Sequence, residues 1–538
     1  MPFPDLFTER LKRGWKVTNA SQLEQDLTLE ADIAIMGSGA GGATSADILS
    51  AAGFKVLLIE EGGLFTSSDF KMQEDQAYPA LYQEGLGRMS KDGAVTILQG
   101  RAVGGTTLVN WTSCFRTPEP TLAHWASEHG VQGHGNDDLA PWFARMEERL
   151  GISPWAMPPN ANNDVLRRGC EKLGLDWQVI PRNVRGCANL GYCGMGCPIN
   201  AKQSMLVTTI PALLDQGGEL IYLARAERLQ LESGRVTGLE CVAMDERCVA
   251  PTGRRIQVQA RHYILAGGSI NSPGLLLRSK APDPHKVLGK RTFLHLTSFS
   301  WAQFDQQINP FYGAPQSVYS DHFQWQDGAS GAMGYKLEVP PLHPGFSATV
   351  LGGTAVANPT LMEQLPNSSM MIALLRDGFH PDSAEGTVQL RSDGSPVLDY
   401  RLTDYTWDAV RRTYLNMADI QFAAGARTVT PVHNDARPAS NMAEARKMIE
   451  DLDLRRFKAR LGSAHVMGGC AMGEDPSRSV ADSLGRHHQL ENLSIHDGSL
   501  FPTSIGANPQ LSIYGLTAKL SSLLADRLEK GSGPFTLT

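Results

Sequence analysis

The run DIAIMGSGAGGATSADILSAAGFKVLLIEEGG, residues 32–63, constrains this chain more than any other stretch. An apolar run enters a glycine-rich turn, a segment of helical residue choice follows, and VLLIE returns as a second apolar run. Strand, turn, helix and strand in that order make a βαβ unit, whose strands lie parallel and buried on both faces. Within the turn, Gly37 permits the tight reversal, Gly39 lets the backbone approach a pyrophosphate, and Gly42 lets the helix pack on the strand. The helix N-terminus then faces the phosphates, and Glu60, 18 residues beyond Gly42, ends the next strand where an acid hydrogen-bonds an adenosine ribose. The expectation is a dinucleotide site, and the fingerprint alone leaves NAD and FAD both open.

The rest of the composition narrows the class. A length of 538 residues allows three or four domain-sized units. A net charge of -7 argues against a nucleic acid partner or an anionic lipid surface as a general ligand. With 42% hydrophobic and 20% charged residues the chain reads as folded. No apolar stretch reaches the roughly 18 residues of a membrane span. The opening MPFPDLFTERLKRGWKVTNA lacks the apolar centre of a secretory signal, so cytoplasm is the expected location, with peripheral membrane association left open.

Along the chain, HYILAGGSINSPGLLLRS (262–279) repeats the strand, glycine turn and helix pattern. Residues 64–160 read as long loop-like excursions, and 290–400 change to β-branched runs expected to form an antiparallel sheet. Residues 404–424 and 441–461 are expected to be helical. The domain reading is an N-terminal extension at 1–30, a nucleotide-binding domain from 31–130, 180–290 and 460–538, and a substrate domain from 131–179 and 291–459.

Five motifs in order settle the choice of nucleotide. They are GSGAGG, the LIEEGG after it, GRAVGGTTLVN (100–110), ILAGGSINSPGLLLRS (264–279) and HDGSLFPTSIGANPQLSIYGLTAKL (496–520). Together they resemble the glucose-methanol-choline (GMC) family of FAD oxidoreductases, nearest to long-chain alcohol oxidases and bacterial choline-dehydrogenase-like flavoproteins. The resemblance implies an α/β fold, with an FAD-binding Rossmann-type domain of discontinuous segments and a substrate domain of mainly antiparallel sheet and helices. It also implies FAD held by Gly37, Gly39 and Gly42 at the pyrophosphate, Glu60 at the ribose, and Gly104, Gly105, Thr106 and Asn110 near the flavin. Ala226 would reach adenine, Ala266 lies in the second glycine turn, and Asp497 and Pro509 close the site.

The segment GSAHVMGGCAMG resembles the family's active-site histidine loop and singles out His465. An imidazole near its ordinary pKa of about 6.5 suits the removal of a hydroxyl proton as hydride leaves the carbinol carbon for flavin N5. Asn508, 43 residues later in GANPQ, is expected to donate an N–H to the substrate oxygen as charge develops there. His487 and His488, in the polar stretch SLGRHHQLEN, are expected to be a solvated loop. Phe304, Phe311, Tyr312, Phe323, Trp325, Met370 and Met371 offer apolar surface for a substrate, against the plain alternative of core packing.

Cys187, Cys193 and Cys197 form C-x5-C-x3-C followed by Pro. The spacing resembles the loop that holds a [3Fe–4S] cluster in sugar dehydrogenases of the family. CGMGCPINAKQSM equally resembles the long-chain alcohol oxidases, where a packed, reduced or partly disulfide-linked loop takes its place. The expected activity is oxidation of a hydrophobic primary alcohol, with oxygen, a quinone or a cytochrome taking the electrons. A cluster-bearing sugar or polyol dehydrogenase and a non-catalytic flavin-binding protein are the alternatives.

Overall fold

A computed structural model describes residues 5–530, which contain two eight-stranded sheets, a four-stranded one and a two-stranded pair. The first sheet places Leu27–Met36 between Val56–Ile59 and Pro251–Leu265, all parallel, in the pairing the βαβ pattern requires. Glu219–Tyr222 and Lys16–Asn19 extend it on one side, and Leu493–Ile495 joins Pro251–Leu265 in parallel. An antiparallel meander of Ala224–Glu232, Arg235–Met244 and Pro251–Leu265 completes the layer. Ile33, Ala34 and Ile35 are fully buried, as a strand covered on both faces demands. Lys16–Asn19 falls within residues 1–30, so part of the expected extension is an edge strand of the nucleotide layer.

The second sheet runs Val95–Ile97, Leu461–Ser463, Thr297–Gln303, Ser368–Leu375, Tyr335–Glu338, Val318–Ser320 and Gln178–Val179. It is antiparallel apart from the first pair, in line with the reading of residues 290–400. Helices Asp404–Ala423 and Ala161–Leu173 pack side by side behind it. A four-stranded antiparallel sheet, Pro396–Tyr400, Gly386–Leu390, Thr292–Phe293 and Met467–Gly468, joins the two halves.

Two sequence expectations change. Residues 64–160 carry the helices Glu74–Leu81, Glu119–His129 and Asn136–Leu150. The last buries Leu139, Phe143, Met146 and Leu150, a helical face obscured in sequence by Pro141 in its first turns. It packs on the C-terminal helix Gln510–Lys530, so its place is the nucleotide half. The helix expected over 441–461 is only Met442–Asp451, because the chain must straighten to enter strand Leu461–Ser463.

Candidate active site

A cavity of about 780 Å³ lies between the carboxyl ends of the parallel strands and the antiparallel sheet, where ligands bind in open α/β sheets. Its floor is the glycine turn. Gly37 takes φ +107°, and a Cβ there would stand 2.3 Å from the Ala266 carbonyl oxygen. At Gly42 a Cβ would lie 1.8 Å from the Gly37 oxygen, so this glycine serves helix packing and lies outside the cavity lining. Gly39 differs: a Cβ there would meet no protein atom closer than 3.8 Å. What a side chain at Gly39 would fill is cavity, at the start of helix Ala40–Ala51, whose N-cap makes no side-chain hydrogen bond. Open amides at a helix N-terminus beside a bare backbone fit an anionic pyrophosphate. The chain's own residues therefore fit FAD at this place.

Three loops meet through Ser38. Its hydroxyl donates to Glu60 Oε2 at 2.5 Å and accepts the Gly104 N–H at 2.9 Å. Glu60 also accepts the Ser38 N–H at 3.0 Å and the Gly62 N–H at 2.8 Å, so it braces the turn as well as lining the cavity. Burial pushes its carboxyl up, against the pull of these hydrogen bonds. Asp497 does the same on the far side, accepting from the Gly268 N–H at 2.8 Å, the Ser272 hydroxyl at 2.6 Å and the Ser499 N–H at 2.8 Å. Gly105, Thr106, Asn110, Ala226, Ala266 and Pro509 line the cavity, whereas Gly104 is not part of its lining. Asn110 Nδ2 donates to Gln510 Oε1 at 2.7 Å, tying the flavin-side loop to the C-terminal helix.

His465 and Asn508 line the same cavity. Ser463 Oγ accepts the His465 N–H at 3.1 Å while donating to the Leu294 carbonyl. Burial, then the positive charge of Lys336, pushes the His465 imidazole down to about 4, so the expected pKa near 6.5 is corrected. Its Nδ1 lies 3.4 Å from Nδ1 of His295. Asn508 Nδ2 donates to Glu338 Oε2 at 3.1 Å, leaving one N–H for a ligand, and its buried Oδ1 has no hydrogen-bond partner among the described residues. Lys336 shares the strand face of Glu338, its ammonium 3.5 Å from the centre of the Phe115 ring and 4.0 Å from that of Tyr319. Burial pushes the Glu338 carboxyl up and the Lys336 ammonium down.

Beyond His465 one wall of the cavity is apolar, with Thr349 and Arg460 at its margin. Phe299, Ile372 and Leu374 project from the antiparallel sheet, Phe346 and Val350 from helix Pro344–Leu351, and Leu98 and Trp111 from the flavin side. None of the seven apolar residues named from sequence lines it. Phe304 and Met371 are buried behind the sheet, and Tyr312 is on the surface. His487 is buried rather than solvated, and His488 shares a 2.9 Å hydrogen bond with Ser479.

Cys187, Cys193 and Cys197 are free and half-buried, and among the described residues no three His, Cys, Asp or Glu side chains are placed to hold a metal. The arrangement thus does not fit a [3Fe–4S] cluster. Its loop is held instead by Lys202, whose ammonium donates to the carbonyls of Leu108 at 2.6 Å, Asn110 at 3.0 Å and Cys193 at 2.7 Å. Sequence reasoning missed Lys202, Ser38, His295 and Glu338. Only the Lys336-x-Glu338 spacing, which puts both side chains on one strand face, signalled any of them.

Comparisons with known proteins point to one family. The N-terminal GMC oxidoreductase family model matches residues 78–297 and the C-terminal one 381–517. A long-chain-alcohol oxidase of Arabidopsis thaliana is 28% identical, covering 95% of this chain and 71% of its own. An uncharacterized GMC-type oxidoreductase of Mycobacterium tuberculosis is 30% identical over 90% of this chain and 74% of its own. Among solved structures, a formate oxidase of Aspergillus oryzae, studied for modification of its FAD, aligns with TM-score 0.69 at 15% identity, over 94% of this chain and all of its own. Among the described residues no helix is long and apolar enough to cross a membrane.

Proposed function

The chain belongs to the GMC oxidoreductase family, FAD-dependent enzymes acting on CH–OH groups, and from that premise we propose that it oxidises hydrophobic primary alcohols to aldehydes. The observation that carries the substrate class is the apolar chamber of Phe299, Phe346, Val350, Ile372 and Leu374, continuous with the space at His465. A buried CH2 gains about 0.8 kcal/mol on leaving water, so the apolar wall rewards an alkyl chain, whereas a sugar's hydroxyls would find only the few polar groups at its margin, such as Thr349 and Arg460. Relatives named as long-chain-alcohol oxidases support the same class.

Bound FAD supplies the hydride acceptor. The protein's own part is to orient the carbinol and manage its proton. His465, kept neutral at pH 7 by burial and by Lys336, is the proposed acceptor of the hydroxyl proton. The second N–H of Asn508 faces the developing oxyanion, with its amide held by Glu338. Helix Pro344–Leu351 walls one side of the chamber with Phe346 and Val350. An anaerobic screen of alcohols for flavin bleaching tests the reading, and reoxidation by air or by a quinone then identifies the acceptor. Bleaching by sugars or polyols in preference to alkyl alcohols would replace it.

A further inference from the structure

We infer that His295 is a positioning residue for His465, which it holds in the tautomer with the proton on Nε2. The argument begins at Gly506. Its backbone N–H donates to His295 Nε2 at 2.8 Å, which requires a lone pair on that nitrogen. Neutral His295 therefore carries its proton on Nδ1. That atom faces His465 Nδ1 at 3.4 Å, with the rings edge to face at 80°. Since His295 Nδ1 is the donor, His465 Nδ1 is the acceptor, and the proton of neutral His465 sits on Nε2.

Both rings are fixed for this purpose. His295 takes a left-handed backbone, φ 45°, unusual for a residue with a side chain. Asp377 holds it there, accepting the N–H of His295 at 3.1 Å and that of Leu294 at 2.8 Å. The Leu294 carbonyl in turn receives the Ser463 hydroxyl that accepts from the His465 N–H. Gly506 is two residues from Asn508, so His295 also links the loops that carry the proposed catalytic pair. The charged groups facing the rings are Lys336 and Arg376, with Glu338 behind Asn508 and Asp377 behind His295.

The consequence refines the proposed function, on which its catalytic meaning rests. In the resting enzyme His465 therefore meets an alcohol as a hydrogen-bond donor. To take a proton at Nε2, His465 has first to exchange to the Nδ1–H tautomer, which sets two N–H groups against each other. A protonated His465 meets the same opposition. His295 thereby governs how readily the base form is reached, through a contact long enough to be weak.

Nitrogen-15 NMR of histidine-labelled, FAD-loaded protein tests the assignment, because protonated and bare imidazole nitrogens resonate far apart. His465 is identified by its loss in His465→Gln. At pH 7.5 the expected pattern is protonated Nε2 and bare Nδ1, and the reverse pattern would overturn the inference. In His295→Leu, which removes both contacts, the two tautomers should mix and the His465 titration should rise by about one pH unit. His295→Gln, which retains an acceptor for Gly506 and a donor for His465, should stay near the wild type. An unchanged spectrum in His295→Leu with FAD still bound would also overturn it. If that variant does not retain FAD, the wild-type pattern decides. The spectra need no substrate, so failure here leaves alcohol oxidation standing, and failure of alcohols to bleach the flavin leaves the tautomer standing.

Discussion

His465 sits where burial and a nearby ammonium favour the neutral ring, and this alters what its removal and its titration should show. His465→Ala should slow flavin reduction by an alcohol by ~10²–10⁴-fold with FAD retained, as for a lost general base. With its pKa lowered to about 4, His465 itself should add no inflection to the wild-type reduction rate across pH 6–8 and should cost activity only below about pH 5. An inflection near 6.5 in stopped-flow reduction that persists in Glu338→Gln would contradict the burial argument. Glu60→Gln tests the hub around Ser38. Exchanging its charge-assisted acceptors for neutral ones should weaken FAD roughly ten- to a hundredfold, read as the dissociation constant of the refilled apoprotein. The roles of Gly37 and Gly42 were legible because each follows from backbone geometry that a motif encodes. His295 and Glu338 were not, since a lone histidine in a loop or a lone glutamate in a strand carries no sign of its partner until distant segments meet.

At the scale of elements, helix Pro344–Leu351 and the cysteine loop make separate demands. Val350 and Phe346 close the apolar chamber from the helix side, so Val350→Trp should shorten the longest alkyl alcohol accepted while leaving shorter ones nearly as good. A uniform loss over all chain lengths would place the substrate elsewhere. The loop at 187–197 hangs from Lys202, and its sulfurs take no part in the proposed chemistry. Cys193→Ser should therefore leave anaerobic bleaching close to the wild-type rate, and iron assay should find no stoichiometric metal. The parallel sheet was readable because continuous apolar runs and glycine turns recur together. Helix Asn136–Leu150 was not, because Pro141 masked a face that becomes clear only against the C-terminal helix.

Across the whole molecule, buried neutral histidines couple folding to pH. His496 joins the fingerprint helix to the C-terminal helix, its Nδ1 2.9 Å from the Ser45 hydroxyl and 3.2 Å from that of Ser521. Burial, then Arg527, pushes it down to about 3. A folded pKa below the unfolded value of about 6.5 means the unfolded chain binds the extra proton. This contribution is complete above pH 6.5 and is lost as pH falls toward 3. The wild type should lose stability relative to His496→Asn by about 1.4 kcal/mol per pH unit between pH 6 and 4, measured by urea unfolding at saturating FAD. A pH-independent difference would show that His496 is protonated in the fold.

The central claim, a hydrophobic alcohol oxidised beside His465, is tested most directly by anaerobic stopped-flow reduction of the bound flavin with straight-chain primary alcohols of increasing length. The account predicts reduction whose efficiency climbs up to about fourfold per CH2 until the chamber is full, from about 0.8 kcal/mol per buried methylene, with His465→Ala slower at every length. A flavin that no alkyl alcohol bleaches, or one that His465→Ala reduces at the wild-type rate, would contradict it.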